Sequence, residues 1–274
     1  MADTGTEERS ERSSKKNLTQ MLAVGTIVSA ILIALALSIH WFPRQASTQA
    51  GPIDTLYDVL LIVSVPMFVL VVTVVLFSVW KFRRRPGQEL TDGPPIHGNT
   101  RVEVIWTAVP AVMLLALCVY AYAVLHQIEK PQKGEMVVDV TGQQFAWQFS
   151  YPPSSGGGKT VLSDQLYLPK GQPIEFKLHA KDVIHSFWVP SFRMKSDTVP
   201  GVTTSYRVTP TQTGNFAIVC AELCGLGHST MRSTVHVVEK PAFEQWLAKK
   251  GGGGAPPGGT APPTGSSGGS QGGG

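Results

Sequence analysis

Residues 214–238 read GNFAIVCAELCGLGHSTMRSTVHVV, and this stretch decides how the second half of the chain folds. The segments FAIVC (216–220) and RSTVHVV (232–238) are rich in β-branched and other apolar residues, which predicts two strands. The loop between them places two cysteines, a histidine and a methionine within twelve residues. This stretch therefore predicts an all-β domain that presents a cluster of metal-binding side chains at one end.

Other short strand patterns precede this pair and extend the β domain upstream. In QPIEFKLHA (172–180) apolar and polar residues alternate, so Ile174, Phe176 and Leu178 share one face. Several such strands within about 105 residues, separated by proline and glycine, predict a sandwich or a barrel. The other predicted strand segments are MVVDVTG, QQFAWQFSY, VLSDQLYLP and TSYRVTP, and PAFEQWLAKK (241–250) is the first helical pattern after them.

Three long apolar runs occupy the first half of the chain, at residues 21–39, 59–80 and 104–125. Each has roughly the 20 residues that a helix needs to cross a bilayer. Pro66 and Pro110 lie inside the second and third runs, and membrane helices tolerate proline. The runs therefore predict transmembrane helices, with a buried helical hairpin of a soluble protein as the alternative for the last two.

Basic residues flank these runs unevenly, and this asymmetry predicts the orientation in the membrane. The linker between the second and third runs is strongly basic at its ends and is therefore expected in the cytoplasm. The chain after residue 126 is then extracytoplasmic. The first run has two interpretations, a retained helix or a secretory signal cleaved after Ala50. The basic residues at the linker ends are Lys81, Arg83, Arg84, Arg85 and Arg101.

These patterns divide the chain into four parts. Residues 1–50 hold the polar N-terminus and a signal peptide or signal-anchor helix, and residues 51–130 hold a transmembrane hairpin with its cytoplasmic linker. Residues 131–247 form the extracytoplasmic β domain, and residues 248–274 are a tail rich in glycine and proline that is expected to be disordered. The net charge of +4 is modest and argues against a nucleic-acid partner.

The cysteine cluster has three chemical interpretations that differ in the ligands they use. A disulfide suits two cysteines in an exported domain, and zinc suits cysteine with histidine. Neither uses Met231, whereas cysteine, histidine and methionine together suit copper. His185, expected between two strands in KDVIHSFWVP (181–190), supplies a second histidine. The second cysteine, Cys224, suggests two copper ions that share both thiolates, so that copper loading would prevent a disulfide and release protons.

The motif Cys-x-Glu-x-Cys-x-x-x-His-x-x-Met in CAELCGLGHSTM (220–231) matches the CuA domain of cytochrome c oxidase subunit II. DVIHSFWVP resembles the upstream histidine segment of that family, HGNTRVEVIWTAVP (97–110) the start of its second membrane helix, and GQQFAWQFSYP (142–152) its aromatic strand. The likeness extends over residues 50–247. It implies a membrane-anchored all-β protein, with a transmembrane helical hairpin and a signal or third helix followed by a cupredoxin-like β-sandwich or barrel.

The resemblance implies a role for each residue that matches the family motifs. Glu222 would offer its backbone carbonyl to copper and its carboxylate to a magnesium ion shared with subunit I. Glu103, in RVEVIW, would lie near the cytoplasmic entrance of a proton pathway, and an interfacial charge that anchors the helix is the alternative. The implied ligands of a dinuclear copper centre are His185, Cys220, Cys224, His228 and Met231.

The sequence departs from the family at two places. The tryptophan through which the family receives electrons corresponds to Phe145, with Trp147 two residues later. Either residue is a candidate for electron uptake from cytochrome c, and either could instead be a core residue. The family's Pro-Gly-Arg reads Pro-Gly-Val at 200–202, so an arginine expected at the subunit border is missing. Asp197 matches and is assigned only to the border surface.

The resemblance implies the subunit through which electrons enter a terminal cytochrome c oxidase in aerobic respiration, while oxygen is reduced in subunit I. The expected partners are subunit I, other oxidase subunits, cytochrome c and the membrane. The expected location is a bacterial-type plasma membrane, crossed several times, with the C-terminal domain outside. Residues 127–250 hold 13 Lys and Arg against 10 Asp and Glu. The donor would therefore be tethered, acidic or docked through apolar contacts, because a basic cytochrome c prefers an acidic face.

Three other classes of protein compete with this interpretation. A quinol oxidase subunit II has the same fold without copper, and the complete ligand set argues against it. A membrane-anchored copper carrier or metallochaperone needs no membrane helix carrying Glu103. A nitrous oxide reductase shares the copper motif, but it requires a large catalytic domain for which this chain has no room.

Overall fold

The computed structural model describes residues 4–83, 87, 98–155 and 157–252. Three long helices come first, α1 (Thr4–Ser38), α2 (Ala50–Phe82) and α3 (Thr100–Glu129), and a short helix α4 (Lys240–Gly252) comes last. Most of the predicted cytoplasmic linker and the predicted tail after Gly252 lie outside the described residues. Helix α4 continues past residue 247, where the tail was predicted to begin, because the pattern PAFEQWLAKK extends through its final lysines.

The three helices are long and apolar enough to cross a membrane. Only 6% of the most apolar window of each helix is buried within the protein, whereas a soluble hairpin would bury one face of each helix. Helices α2 and α3 extend beyond the predicted apolar runs at both ends, whereas α1 begins earlier than its run and ends one residue before it. Pro66 and Pro110 lie inside α2 and α3. Helix α1 packs against α2. The helices therefore have the character of membrane anchors.

The β domain between α3 and α4 is a sandwich of two five-stranded sheets. One sheet has the order β3-β2-β1-β5-β8 and the other β4-β10-β9-β6-β7. Strands β1 and β5 run parallel, as do β4 and β10, while the other pairs are antiparallel. The strands are β1 (Met136–Gln143), β2 (Ala146–Tyr151), β3 (Val161–Ser163), β4 (Leu166–Pro169), β5 (Ile174–Ala180), β6 (His185–Val189), β7 (Met194–Thr198), β8 (Thr204–Val208), β9 (Gly214–Cys220) and β10 (Arg232–Val238).

The core lies between the two sheets and is built from the inward-facing residues of alternating strands. Phe149 from β2, Phe176 from β5 and Phe187 from β6 are fully buried, and Phe187 contacts both other rings edge-on or tilted. Ile218 from β9 and Val235 from β10 close the core from the second sheet. The alternation seen in the sequence thus places one apolar face of each sheet inside, which confirms the predicted sandwich.

Three details of the β domain differ from the sequence prediction. Strand β7 was not predicted because MKSDT is mostly polar, and it forms the edge of its sheet. The segment VLSDQLYLP does not form one strand but divides into β3 and β4, which belong to different sheets. His185 does not lie between two strands, since it is the first residue of β6.

The connector between α1 and α2, residues 43–50, packs into the β domain. Ala46 is fully buried, its amide donates to the Ser191 carbonyl at 2.9 Å, and its carbonyl accepts from the Thr211 amide at 2.9 Å. The Thr48 amide donates to the Thr209 carbonyl at 3.0 Å. The connector therefore forms part of the β domain, and a signal cleavage after Ala50 would cut through this packed segment.

A buried arginine fastens the connector and the start of α2 to the sandwich. Arg193 follows the 3₁₀ turn at Pro190–Phe192 and adopts a left-handed backbone with φ 61°. Its guanidinium donates to both carboxylate oxygens of Asp54, at 2.7 and 2.9 Å, and to the Pro43 carbonyl at 2.7 Å. The same group lies 4.9 Å from the centre of the Phe42 ring. Arg193 thus joins the beginning of the α1–α2 connector and the start of α2 to a part of the chain 139 to 150 residues later.

Candidate metal centre

Two segments meet at one end of the sandwich and carry the predicted ligands, the start of β6 and the loop between β9 and β10. Cys220 is the last residue of β9 and Met231 directly precedes β10. The Cys220 amide donates to the Met231 carbonyl at 3.1 Å, which closes the loop between these strands. Strand β6 pairs with β9, with Phe187 opposite Cys220, so His185 at the start of β6 lies beside this loop. The ligands therefore converge because the strands that carry them are neighbours in one sheet.

The other four predicted ligands gather around the Cys224 sulfur. It lies 4.0 Å from the Cys220 sulfur and 3.8 Å from both the His228 Nδ1 atom and the Met231 sulfur. The ligand atoms of His185, Cys220 and Cys224 all lie within 4.8 Å of one another. His185 and Met231 have no solvent exposure, while His228 is half-buried. This is a compact cluster of two imidazoles, two thiols and one thioether.

The backbone of Glu222 also reaches this cluster. The Cys220 thiol lies 3.3 Å from the Glu222 carbonyl oxygen, so the predicted carbonyl ligand is in place. The Glu222 side chain is exposed on the surface of the loop. The two ends of this residue therefore face different surroundings, as the resemblance requires of a residue with two roles.

The histidine at the start of β6 has one ring nitrogen left over for a metal. The His185 Nε2 atom lies 2.8 Å from Asp182 Oδ1, whereas Nδ1 is buried without a hydrogen-bond partner among the described residues. A carboxylate on one imidazole nitrogen fixes the tautomer and leaves the other nitrogen as a ligand. Partial burial by itself would raise the pKa of the Asp182 carboxyl. Hydrogen bonds from the Gln144 amide, His185 and the Val183 amide outweigh this effect and lower the pKa to about 2. Asp182 is therefore a carboxylate at neutral pH.

The two sulfur atoms are suitably spaced for a shared metal. Their separation of 4.0 Å is less than two metal–thiolate bonds of about 2.3 Å each, so one ion can contact both atoms. Burial and the neighbouring Cys220 raise the pKa of the Cys224 thiol to about 11. Two thiolates with imidazole and thioether are soft ligands that favour copper over zinc. The side chains that are present therefore fit a dinuclear copper centre.

The turn between β1 and β2 carries Phe145, whose ring covers two glycines of the loop between Cys220 and Met231. A Cβ atom on Gly227 would lie 2.5 Å from two carbons of the Phe145 ring, and Gly225 has a φ of +133°. Phe145 is 38% exposed. Trp147 is only 4% exposed, and its ring centre lies 6.0 Å from that of His185. Of the two candidates for electron uptake, Phe145 is on the surface and Trp147 is in the core.

Glu103 lies outside the β domain, in the first turn of helix α3. Its carboxylate accepts the Asn99 amide at 3.0 Å, while the Asn99 side chain accepts the amides of Arg101 and Val102. This reciprocal arrangement is a capping box that satisfies the free amides of the helix start. Glu103 therefore has a structural role at this helix start, and its role in a proton pathway stays a prediction.

Comparison with known proteins identifies the family. Residues 156–238 match the periplasmic-domain model of cytochrome c oxidase subunit II, and residues 34–124 match its transmembrane-domain model. The cytochrome c oxidase subunit 2 of Thermostichus vulcanus is 32% identical over 278 residues, which cover 82% of this chain and 83% of that protein. The chain belongs to the cytochrome c oxidase subunit II family. It is thus a subunit of a cytochrome c oxidase, with an extracytoplasmic domain anchored to a membrane.

Other members of the subunit II family show the same extent of similarity. The probable cytochrome c oxidase subunit 2 of Streptomyces coelicolor is 31% identical over 300 residues, covering 92% of this chain and 93% of that protein. Among solved structures, the periplasmic domain of subunit II from Bradyrhizobium japonicum matches at 27% identity with a TM-score of 0.40, over 43% of this chain and 95% of that one. The predicted family and the predicted class of fold are confirmed.

Two residues at the centre were missed by the sequence analysis. Asp182 precedes His185 by three residues in DVIHSFWVP, so a carboxylate at this spacing could have been noticed as a partner for the histidine. The Gln144 side chain reaches the loop between Cys220 and Met231, where it contacts the Cys224 carbonyl. The local sequence GQQFAWQ gives no sign of this contact. Both residues support the side chains that would hold the metal.

Proposed function

We propose that this subunit accepts electrons from a cytochrome c and passes them through a dinuclear copper centre to the haem-copper subunit I during aerobic respiration. The observation that carries the proposal is the convergence of the five predicted ligands, four of them around the sulfur of the fifth, Cys224. Membership of the subunit II family supports the same function. The proposed location is a bacterial plasma membrane crossed by several helices, with the copper domain outside.

Two copper ions that share both thiolates would let one electron spread over both, so neither ion would change its geometry much on reduction. The chain's own residues support this by keeping the surroundings fixed. Asp182 holds His185 in one tautomer, and Met231 is enclosed by the core, where a thioether cannot exchange with water. Cys220 is the last residue of the paired strand β9, and Cys224 lies four residues beyond it. Fixed and buried ligands suit electron transfer, in which no bond is made or broken.

Electrons would reach the centre through Phe145. Its ring is exposed and lies against the backbone of Gly225 and Gly227, directly beside the Cys224 loop. Leu223 and Leu226 on the same loop are exposed as well, which gives this surface an apolar character. Since residues 127–250 carry a net charge of +3, an apolar contact suits the donor better than attraction to a basic cytochrome c. Trp147 would pack in the hydrophobic core and take no part in electron uptake.

Glu222 and Glu103 would face subunit I in different compartments. The exposed Glu222 carboxylate would hold a magnesium ion together with subunit I, while its carbonyl faces the Cys220 sulfur. Glu103 would lie at the cytoplasmic entrance of a proton pathway. Its carboxylate accepts an amide in the isolated chain, so a role in proton uptake requires that this bond be exchanged for contacts in the complex.

The test is the visible and electron paramagnetic resonance spectrum of the full-length chain, purified in detergent and loaded with copper under reducing conditions. We expect a purple protein with a mixed-valence signal split by two equivalent copper nuclei. Cys224→Ser should abolish the signal. Cys118→Ser is the matched control, because Cys118 lies in α3 away from the cluster. A colourless zinc protein, or a Cys220–Cys224 disulfide that resists copper loading, would contradict the proposal.

A further inference from the structure

The β1–β2 turn makes polar contacts with both other loops of the metal centre, and one residue makes them both. The Gln144 side-chain amide donates to the Cys224 carbonyl at 2.5 Å. The Gln144 backbone amide donates to Asp182 Oδ2 at 2.7 Å, and Asp182 Oδ1 in turn lies 2.8 Å from His185 Nε2. One residue thus links the loop that carries Cys224 to the carboxylate that orients His185.

We infer that Gln144 is a positioning residue that fixes the Cys224 loop relative to His185 and so sets the geometry of the dinuclear centre. The inference rests on the proposed copper function and names a residue that would touch neither the metal nor the donor. Gln144 acts through the Cys224 backbone and through Asp182. It would therefore influence how tightly copper is held and how the centre absorbs light.

The loop between Cys220 and Met231, which carries Cys224, needs such a support because its own sequence leaves it free to move. Gly225 and Gly227 allow many backbone conformations. Beyond the bond between Cys220 and Met231 that closes the loop, its backbone hydrogen bonds join residues three positions apart, such as the His228 amide to the Gly225 carbonyl at 3.1 Å. Leu223 and Leu226 project into solvent and add no packing. A hydrogen bond from outside the loop therefore stabilises one conformation out of several.

Phe145 strengthens the same support through its ring. Because it follows Gln144 directly, its ring and the Gln144 amide reach the loop from one turn. The nearest ring carbon of Phe145 would lie 3.2 Å from a Cβ atom added to Gly225 and 2.5 Å from one added to Gly227. The loop is thus held by a polar contact at Cys224 and by an apolar contact at the two glycines.

The position of Cys224 makes this support important for the metal. Its sulfur is the atom around which the other ligands gather, at 3.8 to 4.0 Å. A shift of the Cys224 backbone would change the distances to Cys220, His228 and Met231 together. Removal of groups that orient metal ligands typically weakens metal binding by about 10- to 100-fold. We expect a loss of this size when the Gln144 side chain can no longer donate.

The experiment compares Gln144→Met with Gln143→Met in the full-length chain in detergent. Methionine keeps the length of glutamine and removes the donor. Gln143 is the matched control, because it directly precedes Gln144 at the end of β1 and its side chain accepts a hydrogen bond from the Lys181 ammonium group at 3.0 Å. For Gln144→Met we expect about 10- to 100-fold weaker retention of copper against a competing chelator, with a shifted visible band and altered copper hyperfine splitting. Gln143→Met should leave all three unchanged.

The outcomes separate this inference from the proposed function. If the wild-type chain forms no mixed-valence centre, the proposed function fails. If the wild type forms it and Gln144→Met shows the same affinity and spectrum, the inference alone is overturned. A variant whose only defect is a higher KM for the reduced cytochrome would make Gln144 a docking residue and also overturn it. Gln144→Glu, which keeps the length but cannot donate, should repeat the loss, and the thermal midpoint without metal confirms that both variants are folded.

Discussion

Removal of the Asp54 carboxylate should release the connector between the first two helices from the β domain. The Arg193 side chain is 5% exposed and Asp54 is 20% exposed, and two charge-assisted hydrogen bonds of 2.7 and 2.9 Å join them. Breaking a buried pair by removing one partner costs about 3–5 kcal/mol, whereas exposed pairs contribute about 1 kcal/mol or less. Because one fifth of Asp54 faces solvent, we expect Asp54→Ala to cost about 2–3 kcal/mol.

This energy should appear as local opening and not as global unfolding. The amides of Ala46 and Thr48 donate to carbonyls of the β domain, and their exchange with solvent requires the connector to detach. A loss of about 2–3 kcal/mol corresponds to about 30- to 160-fold faster exchange. The assay is hydrogen exchange by mass spectrometry on the full-length chain in detergent, read from a peptide that covers residues 44–50.

Two results would refute this reasoning. Unchanged exchange at residues 44–50 would mean that Arg193 and Asp54 do not hold the connector. Equal acceleration throughout the strands of the β domain would mean that the pair supports the whole fold and not this segment. The control is Lys170→Met, which removes an exposed ion pair with Glu239, whose side chains are 42% and 66% exposed. It should leave the exchange of the connector unchanged.

Three further predictions follow from the same contacts. Met231→Leu should keep the fold, at a cost below about 1.5 kcal/mol for a swap of similar volume, but shift the visible spectrum and the reduction potential; an unchanged spectrum would remove Met231 from the site. Gly227→Ala should destabilise the apo chain by about 1–3 kcal/mol, because the new methyl meets the Phe145 ring at 2.5 Å. Phe145→Ala in the same chain should restore most of that loss in thermal unfolding. The intact mass of the mature subunit should place its N-terminus upstream of Ala46, and a mature chain that begins at Gly51 would contradict the packing of the connector.

The ligand set could be predicted from the sequence because most of it is local. Four of the five side chains fall within Cys220–Met231, and their order and spacing are specific. The alternation in β5 likewise revealed its buried face, since each residue's face depends only on its position in the strand. Strand β7 was missed because its pairing with β6, and not its own polar composition, makes it a strand.

The supporting contacts could not be predicted because they join residues that are distant in sequence. Gln144 contacts a carbonyl 80 residues later, and Arg193 contacts a carboxylate 139 residues earlier. No local pattern distinguishes Gln144 from Gln143, which precedes it and contacts Lys181 instead. Such roles are decided by the way the strands are arranged in the two sheets, which a single sequence does not specify residue by residue.

The membrane attachments and the candidate metal centre lie at opposite ends of the same strands. Strand β1 runs from the end of α3 to the Gln144 turn, and β6 runs from His185 towards Arg193. Eight residues of β1 at about 3.3 Å each separate these ends by roughly 25 Å. Because sites this far apart usually contribute independently, Asp54→Ala should leave the copper spectrum unchanged, and Gln144→Met should leave the exchange of the connector unchanged. The two variants are therefore separate tests, one of the geometry of the metal ligands and the other of the attachment of the connector to the β domain.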